Sequence, residues 1–219
     1  QSSPLAEKAR ALAGSARAGS PPPAPLDVLN NIEQLPQWLE RLRQFCTDPK
    51  PDQARAADWL LDNDYQVARA IREVRNDIPA DFYRRLQAAG DEGPALPRVF
   101  ALAHEMLAAS GFQITMPVLV DFLGAYQQVS PLTLAELWAL PSMLRLAALE
   151  ILANGFGELD QSLAPPFGPS RFVARGRPPD PTSCVSQAIT ALVAVHGIDW
   201  RDVVDNTSMT EALLRTDPA

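Results

Sequence analysis

The side chains best suited to proton transfer are scarce in this sequence. Histidine is the usual general base near neutral pH, and only His104 and His196 occur in 219 residues. Glu105 follows His104 directly, but adjacent side chains leave a helix at different angles. No local pattern supplies the nucleophile and the orienting acid that a triad needs. His196 falls where a helix is expected to end, a place that favours a cation for reasons of the helix dipole alone. The reading is of no catalytic residue in this chain.

Other constellations are weighed the same way. Asp62-Asn63-Asp64 has the spacing with which nucleotide-sugar transferases hold a divalent cation. That chemistry needs both carboxylates converging from a loop, whereas within a helix side chains two residues apart diverge by about 200°. The pair reads as a wet helix face. Cys46 and Cys184 are far apart and lack the close C-x₂-C or H-x₃-H pairing of structural zinc sites. They read as buried thiols rather than a disulfide framework. Gly155-Phe156-Gly157 is a fragment without the Gly-Lys-Ser/Thr continuation of a phosphate loop. No metal and no cofactor is expected. What remains is a set of cations and aromatics: Arg75, Tyr83, Arg84, Arg85, Arg98, Trp138 and Arg145. Guanidinium groups pair with carboxylates and phosphates, and aromatic faces stack on sugars. These residues form the candidate ligand or partner patch.

The elements that would hold this patch are helical. Val28, Ile32, Leu35, Leu39 and Leu42 recur at helical spacing behind Asp27, a plausible N-cap. Pro36 is expected to break and restart that helix. A second helix runs from about Gln53 to Arg75, its stripe read as Ala57, Leu61, Tyr65, Ala68 and Ile71. Pro79 opens a short helix, and Gly90 to Pro94 makes a turn. Leu96 to Ser110 is helical and stops at Gly111, and Thr115 caps the helix that follows. Thr133 and Glu136 match the capping box, in which each side chain satisfies the other residue's free amide. The helix behind them is apolar on most sides from Leu134 to Leu152, which places it at the centre. Pro141 should kink or restart it. Ser183 to His196 and Asp199 to Asp205 are two further helices, and Ser208 with Glu211 repeats the capping pattern.

This gives an all-α, multi-helix bundle of short antiparallel helices, with a solenoid-like stack as its variant. Residues 1–26 form an Ala/Pro-rich flexible segment in which Leu5 to Ala13 could make a short helix. Residues 27–153 are the bundle, 154–182 a Pro/Gly-rich linker or loop, and 183–219 C-terminal helices that pack on the bundle or start the next module. A net charge of −7 speaks against nucleic acid, whose phosphates need clustered cations. No apolar run reaches the roughly 18 residues of a spanning helix, so no membrane insertion is expected from this stretch. Opening at Gln1 and closing at Ala219, the chain reads as cut from a larger protein.

Three segments carry a resemblance. One is Trp59-Leu60-Leu61-Asp62-Asn63 with Ile71-Arg72-Glu73-Val74-Arg75-Asn76-Asp77-Ile78-Pro79 and Phe82-Tyr83-Arg84-Arg85-Leu86. The next is Pro97-Arg98-Val99-Phe100-Ala101-Leu102-Ala103. The third joins Ala125-Tyr126-Gln127-Gln128-Val129 to Pro131-Leu132-Thr133-Leu134-Ala135-Glu136-Leu137-Trp138-Ala139-Leu140-Pro141 and Met143-Leu144-Arg145-Leu146. Together they resemble the N-terminal region of bacterial cyclic β-1,2-glucan synthases. The tail from Ser183 to Asp217 is similar to the next block of that region. The resemblance implies a parent at the bacterial inner membrane that builds β-1,2-glucan from UDP-glucose with modules lying downstream. This region would sit on the cytoplasmic face. The sequence departs from the family after Arg145, where an apolar and then Gly-rich stretch suggests that the helix ends early.

The resulting expectation is a non-catalytic helical domain that scaffolds or docks catalytic modules, with other domains of the same polypeptide as partners. The alternatives are a carbohydrate- or UDP-sugar-binding domain using Trp138, Tyr83 and the arginines, or a dimerisation module in a homodimer.

Overall fold

A computed structural model describes residues 3–15, 26–89, 96–164 and 180–208. The described residues form nine α-helices and no strand. They are α1 (Pro4–Ser15), α2 (Leu26–Cys46), α3 (Ala54–Asp77), α4 (Ala80–Tyr83), α5 (Arg98–Ala109), α6 (Met116–Gln127), α7 (Leu134–Leu159), α8 (Pro181–His196) and α9 (Trp200–Thr207). The chain is all-α, as its apolar spacing predicts. Gly90 to Pro94, most of the Pro/Gly-rich stretch and Glu211 lie outside the described residues.

The centre is α7, packed against α3, α5, α8 and α9. Residues 142–153 of this helix are all buried. One helix shared by four others makes a bundle, unlike a solenoid in which each unit meets only its neighbours. The capping box forms as expected, with Glu136 N–H donating to Thr133 Oγ1 at 3.2 Å and Thr133 N–H to Glu136 Oε2 at 2.9 Å. Contrary to expectation, α7 neither restarts at Pro141 nor ends early after Arg145 but runs on to Leu159. Burial explains this, because the lost amide donor costs one hydrogen bond while the flanking side chains are held on several sides. Pro36 likewise does not break α2, where Ile32, Leu35, Trp38, Leu39 and Leu42 are packed around an exposed proline. That helix starts at Leu26, so Asp27 lies within it.

The expected stripe of α3 holds in part: Ala57 and Ile71 are buried and Ala68 packs half-buried on the core. Leu61 and Tyr65 are exposed, and the buried residues are Ala56, Ala57, Leu60, Val67, Ala70, Ile71 and Val74. The helix is contacted by α2, α7 and α8 at once, so its buried arc is set by three neighbours rather than by its bulkiest residues. It also leaves helical geometry at Asn63 (φ −122°, ψ 16°), whose side chain bonds back to the Trp59 carbonyl at 2.9 Å. Within the segment read as flexible, Leu5 to Ala13 is indeed helical, and Ala6, Ala9 and Ala13 bury one face of α1, which packs on α6.

Helix ends carry the remaining signals. Ser110 caps α5, with Gly111 (φ 60°) and Phe112 (φ 64°) both left-handed behind it. Phe112 N–H reaches the Leu107 carbonyl at 2.8 Å, closing a Schellman-type end in which glycine takes the first left-handed position without strain. Asp180 caps α8 by accepting from Ser183 N–H at 2.8 Å, and Asp199 caps α9.

Candidate functional site

The candidate patch divides by burial. Arg98 enters the α5–α7 seam at the start of α5. Its Nε and Nη2 donate to the two carboxylate oxygens of Glu136 at 2.6 and 2.7 Å. Nη1 donates to Ser130 Oγ at 2.9 Å and Nη2 also to the Pro131 carbonyl at 2.7 Å. The guanidinium side chain is 9% exposed and the carboxylate 0%. Burial pulls the Arg98 pKa down, but the hydrogen bond and charge of Glu136 outweigh it and leave a net rise. Tyr126 borders the same group; burial raises its pKa, while the Arg98 charge and a bond to Ser130 oppose the rise. Glu136 thus serves both as the capping residue of α7 and as the counter-ion of α5.

A second cluster joins α7 to α3 and α8. Arg145 Nε meets Glu73 Oε2 at 2.7 Å, and Glu73 Oε1 accepts from Arg69 Nε at 2.8 Å. Arg69 Nη1 lies 2.6 Å from His196 Nε2 at the end of α8. Since guanidinium only donates, this geometry makes that imidazole nitrogen the acceptor. Ser142 Oγ donates to Asp77 at 3.0 Å beside them. Burial lowers the Arg145 pKa, the charges of Glu73 and Asp77 oppose that, and Arg69 adds to it.

His104 lies against Glu150 of α7, Nε2 to Oε2 at 2.8 Å, with the Phe100 ring edge-on at 4.8 Å. Both side chains are nearly sealed, at 2% and 3% exposure. Imidazole and carboxylate therefore meet in the packed core and not in an open cleft.

The other expected site residues lie apart. Tyr83 is fully buried. Arg75 reaches Glu33 of α2 at 2.6 Å, Arg84 pairs with Asp81 at 2.7 Å, and Arg85 is exposed. Trp138 is 47% exposed on the first turns of α7. The Asp62–Asp64 pair diverges: Asp64 accepts two bonds from Arg43 at 2.7 and 2.9 Å, while Asp62 is exposed beside Arg55, Asp58, Trp59 and Asn63 along a shallow groove on α3. Cys46 and Cys184 are buried free thiols. Burial first, and the charge of Asp58 second, push the Cys46 thiol up to about 11. Among the described residues no group of three or more His, Cys, Asp or Glu is placed to hold a metal ion.

Sequence reasoning missed Glu73, Glu136 as a counter-ion, and Glu150. A signal existed. Glu136, Arg145 and Glu150 are the charged residues on the mostly apolar stretch of α7 from Leu134 to Leu152, and a charge in a buried helix requires a partner.

Fold and site together define an all-α domain whose charged side chains join one helix to the next across its interior. Over 97 residues, 44% of the chain, the sequence is 41% identical to the curated cyclic β-(1,2)-glucan synthase NdvB of Rhizobium meliloti (strain 1021). That stretch of the chain is therefore related to a region of that synthase, and it spans 3% of the synthase's length. No family model matches the sequence. Among the described residues no single helix is long and apolar enough to cross a membrane.

Proposed function

We propose that this chain is a non-catalytic helical domain of a cyclic β-1,2-glucan synthase-like polypeptide, whose work is to dock or orient catalytic modules of the same chain. The observation that carries the reading is the use made of Arg98, Glu136, Arg145, His104 and Glu150. Each is at most 9% exposed and paired across helices, an arrangement that fixes register rather than meeting a substrate. The related region in the synthase supports the choice of parent. In this reading the domain lies on the cytoplasmic face of a bacterial inner membrane and needs no cofactor. The test is to incubate the chain with UDP-glucose. Neither glucan nor free glucose should form, and turnover above background refutes the reading.

A sugar-binding role is the second reading, favoured by the half-exposed indole of Trp138. It has lost Tyr83 to the core and Arg98 and Arg145 to ion pairs. Calorimetry with UDP-glucose and with short β-1,2-glucans decides between the two.

A further inference from the structure

The N-terminal half of α3 carries a groove of about 180 Å³ lined by Arg55, Asp58, Trp59, Asp62 and Asn63. The last four follow Arg55 by three, four, seven and eight residues, so all five share one face of the helix. Trp59 is half-buried against the core, while Arg55, Asp58 and Asp62 are exposed. The polar groups of the groove are unspent. Trp38 and Trp200 give their indole N–H to the Leu163 and Val195 carbonyls at 3.2 and 3.0 Å. The Trp59 N–H and the charged groups of Arg55, Asp58 and Asp62 make no hydrogen bond or ion pair among the described residues. At Asn63, where α3 leaves helical geometry, the side-chain N–H bonds to the Trp59 carbonyl at 2.9 Å, and the side-chain oxygen is left to accept.

We propose that this groove binds a neutral saccharide, one ring of which lies on the Trp59 indole with its hydroxyls held by Arg55, Asp58, Asp62 and Asn63. The inference rests on the sugar-binding reading above and moves its site from Trp138 to Trp59. The mixture of charges selects the ligand. A phosphate or other anion would face Asp58 and Asp62, and a metal ion or organic cation would face Arg55. A wholly apolar group would strip water from all of them and replace none of its hydrogen bonds. A hydroxyl both donates and accepts, so a polyol without net charge can meet guanidinium, carboxylate, amide oxygen and indole N–H together. The C–H side of its ring packs on the aromatic face. Pockets that enclose a drug-sized ligand run to roughly 300–1,000 Å³, so a groove of about 180 Å³ takes one ring and leaves the rest of a chain in solvent. Holding a sugar in this way requires no proton transfer and leaves the domain non-catalytic.

The experiment titrates the 219-residue chain with a linear β-1,2-linked glucose pentamer and follows the indole N–H signals by NMR, each assigned through its Trp→Phe variant. The Trp59 signal should move and saturate. Asp62→Ala, at an exposed position, should weaken that binding on the order of tenfold, the loss of one hydrogen bond to a charged group. If Asp62→Ala loses helix by circular dichroism, Arg55→Ala replaces it under the same criterion. Unchanged affinity in the variant overturns the site. So does a stronger response of Trp59 to UDP or to spermidine, which makes the groove one for an anion or a cation. If Trp59 stays still while Trp138 moves, or while calorimetry detects the pentamer bound elsewhere, this site falls and the sugar-binding reading stands. If no indole signal moves and calorimetry detects no binding, both fall.

Discussion

Two glycines show how much of the fold is decided by single atoms. Gly155 faces α8 so closely that an added Cβ would meet Cys184 Cβ and the Pro181 carbonyl, both at 3.0 Å. Neither neighbour is the movable tip of a long side chain. Gly155→Ala should therefore cost about 1–3 kcal/mol. Gly124, within α6, has nothing within 4 Å of its added Cβ. Gly124→Ala should gain up to about 1 kcal/mol from helix propensity alone. Urea denaturation of the two variants checks both signs. Cys46 adds a pH dependence at the same scale. Its thiol is raised from 9.0 to about 11 by burial, so ionisation favours the unfolded chain, where the thiol titrates first. Its contribution is whole below pH 9 and is lost as pH rises toward 11, on the order of 2–3 kcal/mol. The stability advantage of the native chain over Cys46→Ala should shrink across that window. An unchanged gap at pH 8 and pH 11 would show that the Cys46 thiol titrates alike in the folded and unfolded chain.

At the scale of elements the decisive contact is Arg98 with Glu136. Glu136→Gln keeps an acceptor in the capping box but leaves the Arg98 guanidinium charged, buried and without its counter-ion. Removing one partner of a buried pair costs about 3–5 kcal/mol. Adding Arg98→Met should recover most of that loss, because the stranded charge goes with it. If the double variant is as unstable as the sum of the singles, the pair is not coupled. The legibility of the fold divides along the same line. Thr115, Thr133 and Gly111 could be read as helix ends because capping is local: it links residues three to five apart. The apolar α7 could be read as central for a related reason, since burial on most sides leaves few polar positions. Leu61 and Tyr65 on α3 were misleading because helical spacing alone does not say which of two overlapping faces meets α2, α7 and α8. Pro36 and Pro141 failed as breakers because packing outweighs one missing amide bond. The partners of Arg98, Arg145 and His104 lie 38, 72 and 46 residues away in sequence, as the numbering of Glu136, Glu73 and Glu150 shows, and no local pattern reports such pairs.

For the whole molecule the question is whether the helices after the Pro/Gly-rich stretch fold as part of the bundle or beside it. α8 packs on both α7 and α3, and Cys184, Val185, Ala188, Ile189 and Leu192 are buried there. α9 closes on α6 through Gln127, whose amide donates to the Thr207 carbonyl at 2.7 Å. A helix that shares its core with two others cannot melt without exposing theirs. Truncating a fully buried leucine or isoleucine costs about 2–5 kcal/mol wherever it sits. Leu149→Ala in α7 and Ile189→Ala in α8 should thus lower the midpoint of one and the same transition. Far-UV circular dichroism follows all helices, while in a background of Trp59→Phe, Trp138→Phe and Trp200→Phe the remaining Trp38, sealed in α2 with its indole N–H on the Leu163 carbonyl at 3.2 Å, reports the N-terminal side. In both variants the two signals should stay coincident. If Ile189→Ala instead produced an early loss of ellipticity with Trp38 fluorescence unchanged, α8 and α9 would be a separate folding unit, and the chain would divide where its proline-rich stretch lies.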